Sequence, residues 1–265
     1  MSLDDILCRV LKGDCLDLMY LIPDKSVDMI CCDLPYETTR AIWDQIIPFG
    51  PLWAHYERII KDNGAILLFA QTPFDKVLGS SNLPLLRYEW IWEKTSATGH
   101  QNAKTMCMKA HENILVFYKK LPTYNPQKTT GHKPINSYTK YVDTQNRTEL
   151  YGKVTKEVSG GGNTDRYPRS VLKFSSDKQK NRKSGFTFST QKPLALIEYF
   201  IKTYSNEGDI ILDNCSGSFT TSVACDNLKR KWIAMEKEQK HCELGFNRIN
   251  DNRLKLGMDP VETNY

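Results

Sequence analysis

Short apolar runs alternate with segments of helical spacing along most of this chain. Runs such as residues 27–33 and 64–70 are dominated by apolar side chains and bounded by polar or turn-forming residues, which predicts buried strands. A later segment places Leu194, Ile197 and Ile201 three to four positions apart, a spacing that predicts a helix. This alternation is typical of an α/β fold with a doubly wound, mainly parallel sheet.

The same pattern gives the positions of the expected elements. Strands are predicted over residues 7–11, 27–33, 64–70, 88–92, 113–118, 209–212 and 232–235, and helices from about residue 16, over 51–61, 73–78 and 193–204, and between residues 221 and 229. Residues 37–47 are expected to form a loop. The strands at 88–92 and 113–118 are candidates for an adjacent antiparallel pair.

The strand predicted over residues 27–33 ends in the tetrapeptide Asp33-Leu34-Pro35-Tyr36. In an open α/β sheet, ligands bind at the carboxyl ends of the strands. A carboxylate, a turn stiffened by proline and an aromatic ring suit a flat base with an exocyclic amine, because Asp33 can accept a hydrogen bond while Tyr36 stacks. The alternative is an ordinary strand-to-loop turn, in which Asp and Pro are common.

A second strand-to-helix turn, residues 213–221, consists mostly of small side chains. Small residues let a ligand approach the backbone closely, and a following helix amino terminus favours negative charge. Glu236 lies 23 positions after Asp213, near the separation of about 20 residues at which an acidic side chain reaches a ribose hydroxyl. A nucleoside cofactor is the inference. The turn lacks the GxGxxG and GxxxxGK[ST] patterns, which disfavours a dinucleotide or a triphosphate.

Together these motifs resemble the amino-methylating DNA methyltransferases that use S-adenosylmethionine, in the β arrangement of their motifs. The tetrapeptide at 33–36 resembles their (D/N/S)PP(Y/F/W) catalytic motif, and 213–221 resembles their glycine-rich cofactor loop. Thr190-Gln191-Lys192-Pro193 matches the TQKP segment that precedes this loop. Further matches are Gly13-Asp14, Trp92-Glu93-Lys94 and His111-Glu112-Asn113-Ile114-Leu115. The resemblance covers nearly all of residues 6–250.

The resemblance implies a Rossmann-like methyltransferase fold, with an inserted DNA-recognition region in a mainly parallel doubly wound sheet. It implies a catalytic half over 1–120, a basic target-recognition insert over 121–189, a cofactor-binding half over 190–255 and a tail over 256–265. Catalysis is assigned to Asp33, Leu34, Pro35 and Tyr36. The residues expected to bind S-adenosylmethionine are Asp14, Cys15, Asp33, Thr190, Gln191, Lys192, Asp213, Cys215, Ser216, Gly217, Ser218, Phe219, Thr220, Thr221 and Glu236.

Two positions depart from the family pattern. Leu34 replaces the first proline of the catalytic motif, where the backbone carbonyl is what the mechanism needs, so catalysis is expected to be retained. Phe219 stands where the cofactor loop more often has glycine. A bulky residue adopts positive φ only at a cost, so either the turn differs slightly or the position does not require that conformation.

The resemblance implies transfer of a methyl group to the N6 amine of a flipped adenine in double-stranded DNA, because adenine enzymes usually begin the motif with Asp and cytosine enzymes with Ser. An N4-cytosine DNA enzyme is the alternative, followed by an RNA amino-methyltransferase or a catalytically silent DNA-binding subunit. His111 and Glu112 are assigned a structural or base-pocket role in preference to proton transfer. Lys94 is left between contact with DNA or cofactor and a solvated strand end. A homodimer is also implied.

The charge of the chain is concentrated in one segment. Residues 121–190 hold 13 Lys or Arg against five Asp or Glu, whereas the remainder holds 23 against 26. The segment is also rich in Thr, Ser, Asn, Gly and Tyr. A basic insert with aromatic side chains favours contact with nucleic acid, and the alternative is a solvated loop.

Composition agrees with this class of protein. A chain of 265 residues with 40% hydrophobic content can bury a sizeable core. It shows neither an apolar stretch of 18 residues nor a signal-peptide pattern, so a cytoplasmic protein, associated with the nucleoid through DNA binding, is expected. The eight cysteines form no CxxC pair, which favours buried thiols over a metal site.

Overall fold

The computed structural model describes residues 2–38, 44–140, 158–177 and 191–262. Its strands are β1 (Arg9–Lys12), β2 (Val27–Cys32), β3 (Ile60–Ala70), β4 (Leu86–Thr98), β5 (Lys109–Phe117), β6 (Tyr138–Lys140), β7 (Val158–Gly160), β8 (Val171–Phe174), β9 (Ile210–Asp213) and β10 (Lys231–Glu236). Its α-helices are α1 (Cys15–Leu18), α2 (Phe49–Ile59), α3 (Phe74–Ser81), α4 (Leu194–Tyr204), α5 (Thr220–Asn227) and α6 (Gln239–Leu256). Within these described ranges, no helix is both long enough and apolar enough to cross a membrane.

The main sheet is mostly parallel, as predicted. Across the described residues its eight strands follow the order β1-β10-β9-β2-β3-β5-β4-β8. Strand β5 runs antiparallel to both β3 and β4, while the remaining neighbours are parallel. The expected antiparallel pair of β4 and β5 is therefore confirmed. The carboxyl ends of β1, β2, β3, β9 and β10 share one edge, which is where ligands bind in such sheets.

Helices cover both faces of the sheet because its central strands are apolar on both sides. In β3, Ala65, Leu67 and Phe69 face one core, while Ile66 and Leu68 face the other, as the two-residue period of a strand requires. The first core also contains side chains of α4, α5 and α6. The second contains side chains of α1, α2 and α3. This layered packing confirms the Rossmann-like α/β class.

Several element boundaries differ from the sequence prediction. The second helix ends at Ile59 instead of residue 61, and β3 begins directly at Ile60, which pairs with Val27 of β2. Strands β4 and β5 extend beyond their apolar centres because their polar ends still pair with each other. Helix α6 was not predicted. It is mostly polar, with Cys242, Gly245 and Ile249 as its buried residues.

The chain divides into two compact units, Pro126–Arg169 and the remainder. The smaller unit contains the antiparallel pair of β6 and β7 and a bridge between Thr129 and Arg166. Strand β8 belongs to the larger unit, since it pairs in parallel with β4. The chain thus rejoins the main sheet at Val171, although the sequence analysis places the end of the insert at residue 189.

Candidate active site

A cavity of about 920 Å³ lies at the carboxyl edge of the main sheet. It brings the tetrapeptide that follows β2 together with the small-residue turn that follows β9. Its walls include residues 13–16, 33–36, 94–98, 191–192, 213–218 and 236–238. Two motifs that are about 180 positions apart in the sequence therefore line one site, because parallel strands end at the same edge.

The predicted catalytic tetrapeptide presents its carboxylate and its ring together. The Tyr36 hydroxyl donates a hydrogen bond to Asp33 Oδ1 at 2.6 Å. The Tyr36 ring stacks on Phe74, with centroids 5.0 Å apart and planes inclined by 23°. The Leu34 side chain is buried in the core, whereas Asp33 keeps 31% of its side chain exposed. Asp33 is thus held in place while remaining accessible to a ligand.

Asp44 holds the loop that follows the tetrapeptide. Its Oδ1 accepts hydrogen bonds from the backbone N–H groups of Tyr36 (2.8 Å) and Glu37 (2.9 Å), and its Oδ2 accepts one from Thr38 (3.0 Å). Glu37 has a left-handed φ of 55°, which is costly for a residue with a Cβ. The buried carboxylate of Asp44 stabilises this conformation and so fixes the backbone on which Tyr36 is mounted.

Four charged side chains form a row that reaches Asp33 in the predicted catalytic motif. Lys192 Nζ lies 2.6 Å from Asp33 Oδ2 and 3.1 Å from Glu112 Oε2. Lys94 Nζ lies 2.6 Å from the other oxygen of Glu112, Oε1. The side chains of Lys94, Glu112 and Lys192 are each about one-tenth exposed. Paired charges of this kind are the arrangement that makes burial of ionised groups tolerable.

The electrostatics of this row follow from burial and mutual attraction. Burial raises the pKa of Asp33, and the ammonium group of Lys192 opposes that rise. Burial disfavours the charge on Lys192, but Asp33 and Glu112 outweigh it and raise its pKa. Burial likewise opposes ionisation of Glu112, yet Lys192 and Lys94 lower its pKa. Lys192 and Glu112 are therefore both charged at neutral pH.

Two carboxylates mark the side of the cavity where β1 and β10 end. Glu236 Oε2 accepts a hydrogen bond from the N–H of Gly217 at 2.8 Å, and Oε1 accepts one from the N–H of Glu238 at 2.9 Å. His241 Nδ1 lies 3.6 Å from the same Oε1. The Asp14 carboxylate caps helix α1. These acceptors suit the hydroxyl groups of a ribose, and Glu236 also ties the small-residue turn to the sheet.

The turn between β9 and α5 is held from both of its ends. The N–H of Ser216 donates to the carbonyl of Met235 at 2.9 Å, and the hydroxyls of Ser218 and Thr220 are 3.0 Å apart. Arg248 of α6 donates to the carbonyl of Ser218 and, at 2.9 Å, to Thr220 Oγ1. Such anchoring preorganises the backbone that faces the cavity.

Asp213, the last residue of β9, is 5% exposed. Its Oδ1 accepts a hydrogen bond from the N–H of Cys215 at 3.2 Å. Burial raises the pKa of Asp213 to about 7, although hydrogen bonds from Thr221, Cys215 and Cys32 act in the opposite direction. This carboxylate therefore changes charge close to neutral pH.

The expectation for Phe219 is corrected by the structure. Phe219 has a left-handed φ of 56°, so the turn keeps the conformation that glycine favours and a bulky side chain adopts it. The ring is fully buried and packs where α6 has Gly245. A Cβ at Gly245 would lie 1.9 Å from Phe219 Cδ2. Burial of the ring against this glycine offsets the cost of the backbone conformation.

Most of the predicted site residues line the cavity. They are Asp14, Cys15, Asp33, Leu34, Pro35, Tyr36, Gln191, Lys192, Asp213, Cys215, Ser216, Gly217, Ser218, Thr220, Thr221 and Glu236. Phe219 is not among them, because its ring points into the core and only its backbone shapes the turn. Thr190 lies outside the described residues.

Sequence reasoning missed several residues of the site. It left Lys94 undecided, and the ion pair with Glu112 excludes the solvated alternative. Nothing in the local pattern identified Asp44, which accepts hydrogen bonds from three backbone N–H groups. His241 and Arg248 lie on α6, the helix that was not predicted. A search for apolar spacing after Glu236 would have detected that helix through Cys242 and Ile249.

Comparison with known proteins gives consistent matches. Residues 27–247 match a family described as DNA methylase, of the N6/N4 type. The DNA adenine methyltransferase YhdJ of Escherichia coli (strain K12) is 28% identical over 261 residues, which cover 91% of this chain and 82% of YhdJ.

Solved structures show the same fold. The M1.HpyAVI–SAM complex superimposes with a TM-score of 0.59 at 21% identity, over 91% of this chain and 98% of that one. The PvuII DNA methyltransferase, which is cytosine-N4-specific, superimposes with a TM-score of 0.60 at 15% identity, over 93% and 91% of the two chains. A cytosine-N4-specific enzyme is thus among the solved structures that share this architecture.

Proposed function

We propose that this chain, which belongs to the N6/N4 family of DNA methylases, transfers a methyl group from S-adenosylmethionine to the N6 amine of adenine in double-stranded DNA. The observation that carries the proposal is the position of Asp33. Its accessible carboxylate lies beside the Tyr36 ring, in the same cavity as Glu236 and Gly217. One cavity thus contains a hydrogen-bond acceptor for an amine and groups that can bind a nucleoside.

The residues present fit S-adenosylmethionine. The volume of about 920 Å³ lies at the upper end of the range of roughly 300–1,000 Å³ for ligand sites, which leaves room for a base beside the cofactor. Glu236 and Asp14 would hold the adenosine, and Lys192 with residues 216–221 would hold the methionine part. When bound, the cofactor supplies a methyl group on a positively charged sulfur, which keeps the electron pair of the broken C–S bond.

The chain's own contribution is to position and polarise the base. Asp33 accepts a hydrogen bond from the exocyclic amine, and the carbonyl of Leu34 accepts a second one. Both bonds favour a pyramidal nitrogen whose lone pair is available to the methyl carbon. Tyr36 stacks on the base and holds the nitrogen in line with that carbon, which is the main task in a displacement of this kind. The methylated nitrogen then releases one proton to solvent.

Duplex DNA is the proposed acceptor because of the charge of the middle segment. Residues 121–190 carry 13 basic against five acidic residues, a balance that favours contact with phosphates. A paired base hides its amine within the helix, so the target nucleotide must flip out of the duplex to reach Asp33.

The homodimer implied by the resemblance is tested by sedimentation of the free protein.

Adenine is the proposed target, with cytosine N4 as the second candidate. Asp33 at the start of the motif favours adenine, and YhdJ, a relative at 28% identity, is named a DNA adenine methyltransferase. The cytosine-N4-specific PvuII enzyme shares the fold, so the architecture alone leaves the choice to the base pocket. The two targets differ in the size of the ring that must stack on Tyr36 while its amine reaches Asp33.

The test is methyl transfer by the purified protein. With labelled S-adenosylmethionine and duplex DNA from a methylation-free host, we expect incorporation into DNA, located by sequencing at adenine N6. Asp33→Ala should reduce the rate about a hundredfold or more. Asp62→Ala is the matched control, because Asp62 is a surface carboxylate paired with Lys25 and Lys120.

Each other outcome has a defined meaning. Label found at cytosine N4 would replace adenine with the second candidate. Label found in RNA in preference to DNA would change the proposed substrate from DNA to RNA. Absence of transfer to DNA of any sequence, with the protein folded and the cofactor bound, would contradict the proposal.

A further inference from the structure

Glu112 is a second buried carboxylate beside the catalytic one, and the proposed mechanism gives it no task. It lies in β5, which is paired with β4, and its side chain lines the same cavity as Asp33. Glu112 Oε2 is buried. Its ionic partner is the Lys192 ammonium at 3.1 Å.

Lys192 is shared unequally between the two carboxylates. Its nitrogen lies 2.6 Å from Asp33 Oδ2, to which it donates a hydrogen bond, and 3.1 Å from Glu112 Oε2. Lys94 binds the other oxygen of Glu112, Oε1, at 2.6 Å and so fixes the orientation of that carboxylate. The order along the row is therefore Lys94, Glu112, Lys192, Asp33, with alternating charge.

We propose that Glu112, fixed by Lys94, is a positioning residue that holds Lys192 between the two carboxylates and so sets how strongly Asp33 accepts the amine of the base. The inference rests on the proposed methyl transfer, since it concerns the same site. In this arrangement Lys192 keeps the Asp33 carboxylate ionised.

The physical reason is competition for one cation. A carboxylate bound closely by an ammonium group is a weaker acceptor for a neutral amine, because the ammonium already polarises its lone pairs. If Lys192 were bound to Asp33 alone, Asp33 would accept the amine weakly. If Lys192 were absent, the pKa of Asp33 would rise because its cationic partner is lost, and the carboxylate would take up a proton more readily. Sharing Lys192 with Glu112 keeps Asp33 ionised and still able to accept.

The variant Glu112→Gln tests this arrangement because it preserves the shape of the side chain. The variant removes the negative charge of Glu112, so Lys192 then forms its ion pair with Asp33 alone. We expect the single-turnover rate of methyl transfer to fall about tenfold, with cofactor affinity, measured by calorimetry, unchanged within about twofold. Glu93→Gln is the matched control: Glu93 lies next to Lys94 in sequence but makes an exposed ion pair with Lys173, so its rate should equal that of wild type.

The pH profile separates this role from a structural one. The acid limb of kcat/KM reports ionisation of Asp33 in the free enzyme. Losing the charge of Glu112 lowers the pKa of Asp33, so Glu112→Gln should move this limb to lower pH. Losing Lys94 strengthens the pull of Glu112 on Lys192, so Lys94→Gln should move it to higher pH. In the double variant the upward shift should vanish, because Lys94 acts through Glu112.

The other groups that act on Asp33 are unchanged in these variants. The Tyr36 hydroxyl donates to Asp33, and the charge of Asp213 also acts on it electrostatically. Asp213 titrates near pH 7, so its effect is common to all four proteins and cancels in their comparison.

The results that would overturn the inference are distinct from failure of the proposed function. If the wild-type protein transfers no methyl group to DNA, the proposed function fails. If it does transfer, but Glu112→Gln has the wild-type rate and limb, or both single variants move the limb in the same direction, the positioning role is wrong. Should Glu112→Gln not fold, Lys94→Gln alone decides: a limb that stays or moves to lower pH contradicts the proposal.

Discussion

At the scale of single residues, Asp213 has the most consequential ionisation. It ends β9, it is 5% exposed, and burial raises its pKa to about 7 from an ordinary value of 3.8. Between these two pKa values the folded protein holds a proton that the unfolded chain has released. By linkage, this group's contribution to stability is full below pH 4 and is lost as the pH rises towards 7.

Asp213→Asn should therefore change the pH dependence of stability. The amide cannot ionise, so the variant escapes the cost of a buried charge. The free energy of unfolding of the variant, minus that of wild type, should grow by about 1.4 kcal/mol for each pH unit between pH 5 and 7 and then level off. Urea unfolding without cofactor at four pH values measures it. A difference that is constant from pH 5 to 8 would show that Asp213 is ionised throughout.

At the scale of elements, the small-residue turn, residues 213–221, and helix α6 depend on each other through Phe219 and Gly245. A Cβ at Gly245 would lie 1.9 Å from Phe219 Cδ2. Gly245→Ala should therefore destabilise the protein by about 1–3 kcal/mol, the usual cost of overpacking. In a Phe219→Gly background the same change should stabilise by up to about 1 kcal/mol, because Ala favours a helix more than Gly.

The reversal of sign is what identifies the contact. Gly79→Ala is the matched control, since Gly79 is also a buried helical glycine and its added Cβ would meet Leu115 and Leu86 at an ordinary 3.6 Å. That variant should be neutral or slightly stabilising. Urea midpoints of the five proteins give the comparison. If Gly245→Ala lowers the free energy of unfolding equally in the wild-type and Phe219→Gly backgrounds, the strain lies elsewhere in α6.

Prediction from sequence worked where one local pattern determined the element. Strands β2 and β3 are buried on both faces, so their apolar runs identified them directly. The tetrapeptide at 33–36 alone also fitted an ordinary turn, and it was predicted to be catalytic only together with residues 190–193 and 213–221. Helix α6 was missed because few of its side chains are buried. Lys94 and Glu112 could not be joined from sequence, since their contact depends on the register of β4 against β5.

At the scale of the whole molecule, positive charge is separated from the methyl-transfer chemistry in the sequence. Acidic residues outnumber lysines by seven to three among the residues that line the cavity, and outside residues 121–190 acidic residues outnumber basic ones by 26 to 23. Phosphates would be repelled by such a carboxylate set unless another segment attracts them. The segment 121–190, with 13 basic residues, is the part of the chain whose charge does so.

DNA affinity should therefore depend on salt through this segment. Lys133 and Arg169 are exposed residues of the smaller unit. If each neutralises one phosphate, Lys133→Gln and Arg169→Gln should each reduce the slope of log Kd against log salt concentration by about 0.9. Lys255→Gln, at an exposed position in the last turn of α6, should leave the slope unchanged. Fluorescence anisotropy with a duplex at several salt concentrations measures all four proteins. Equal slopes in the Lys133 variant and in wild type would show that Lys133 contacts no phosphate, and a reduced slope in the Lys255 variant would extend the DNA-binding surface to α6.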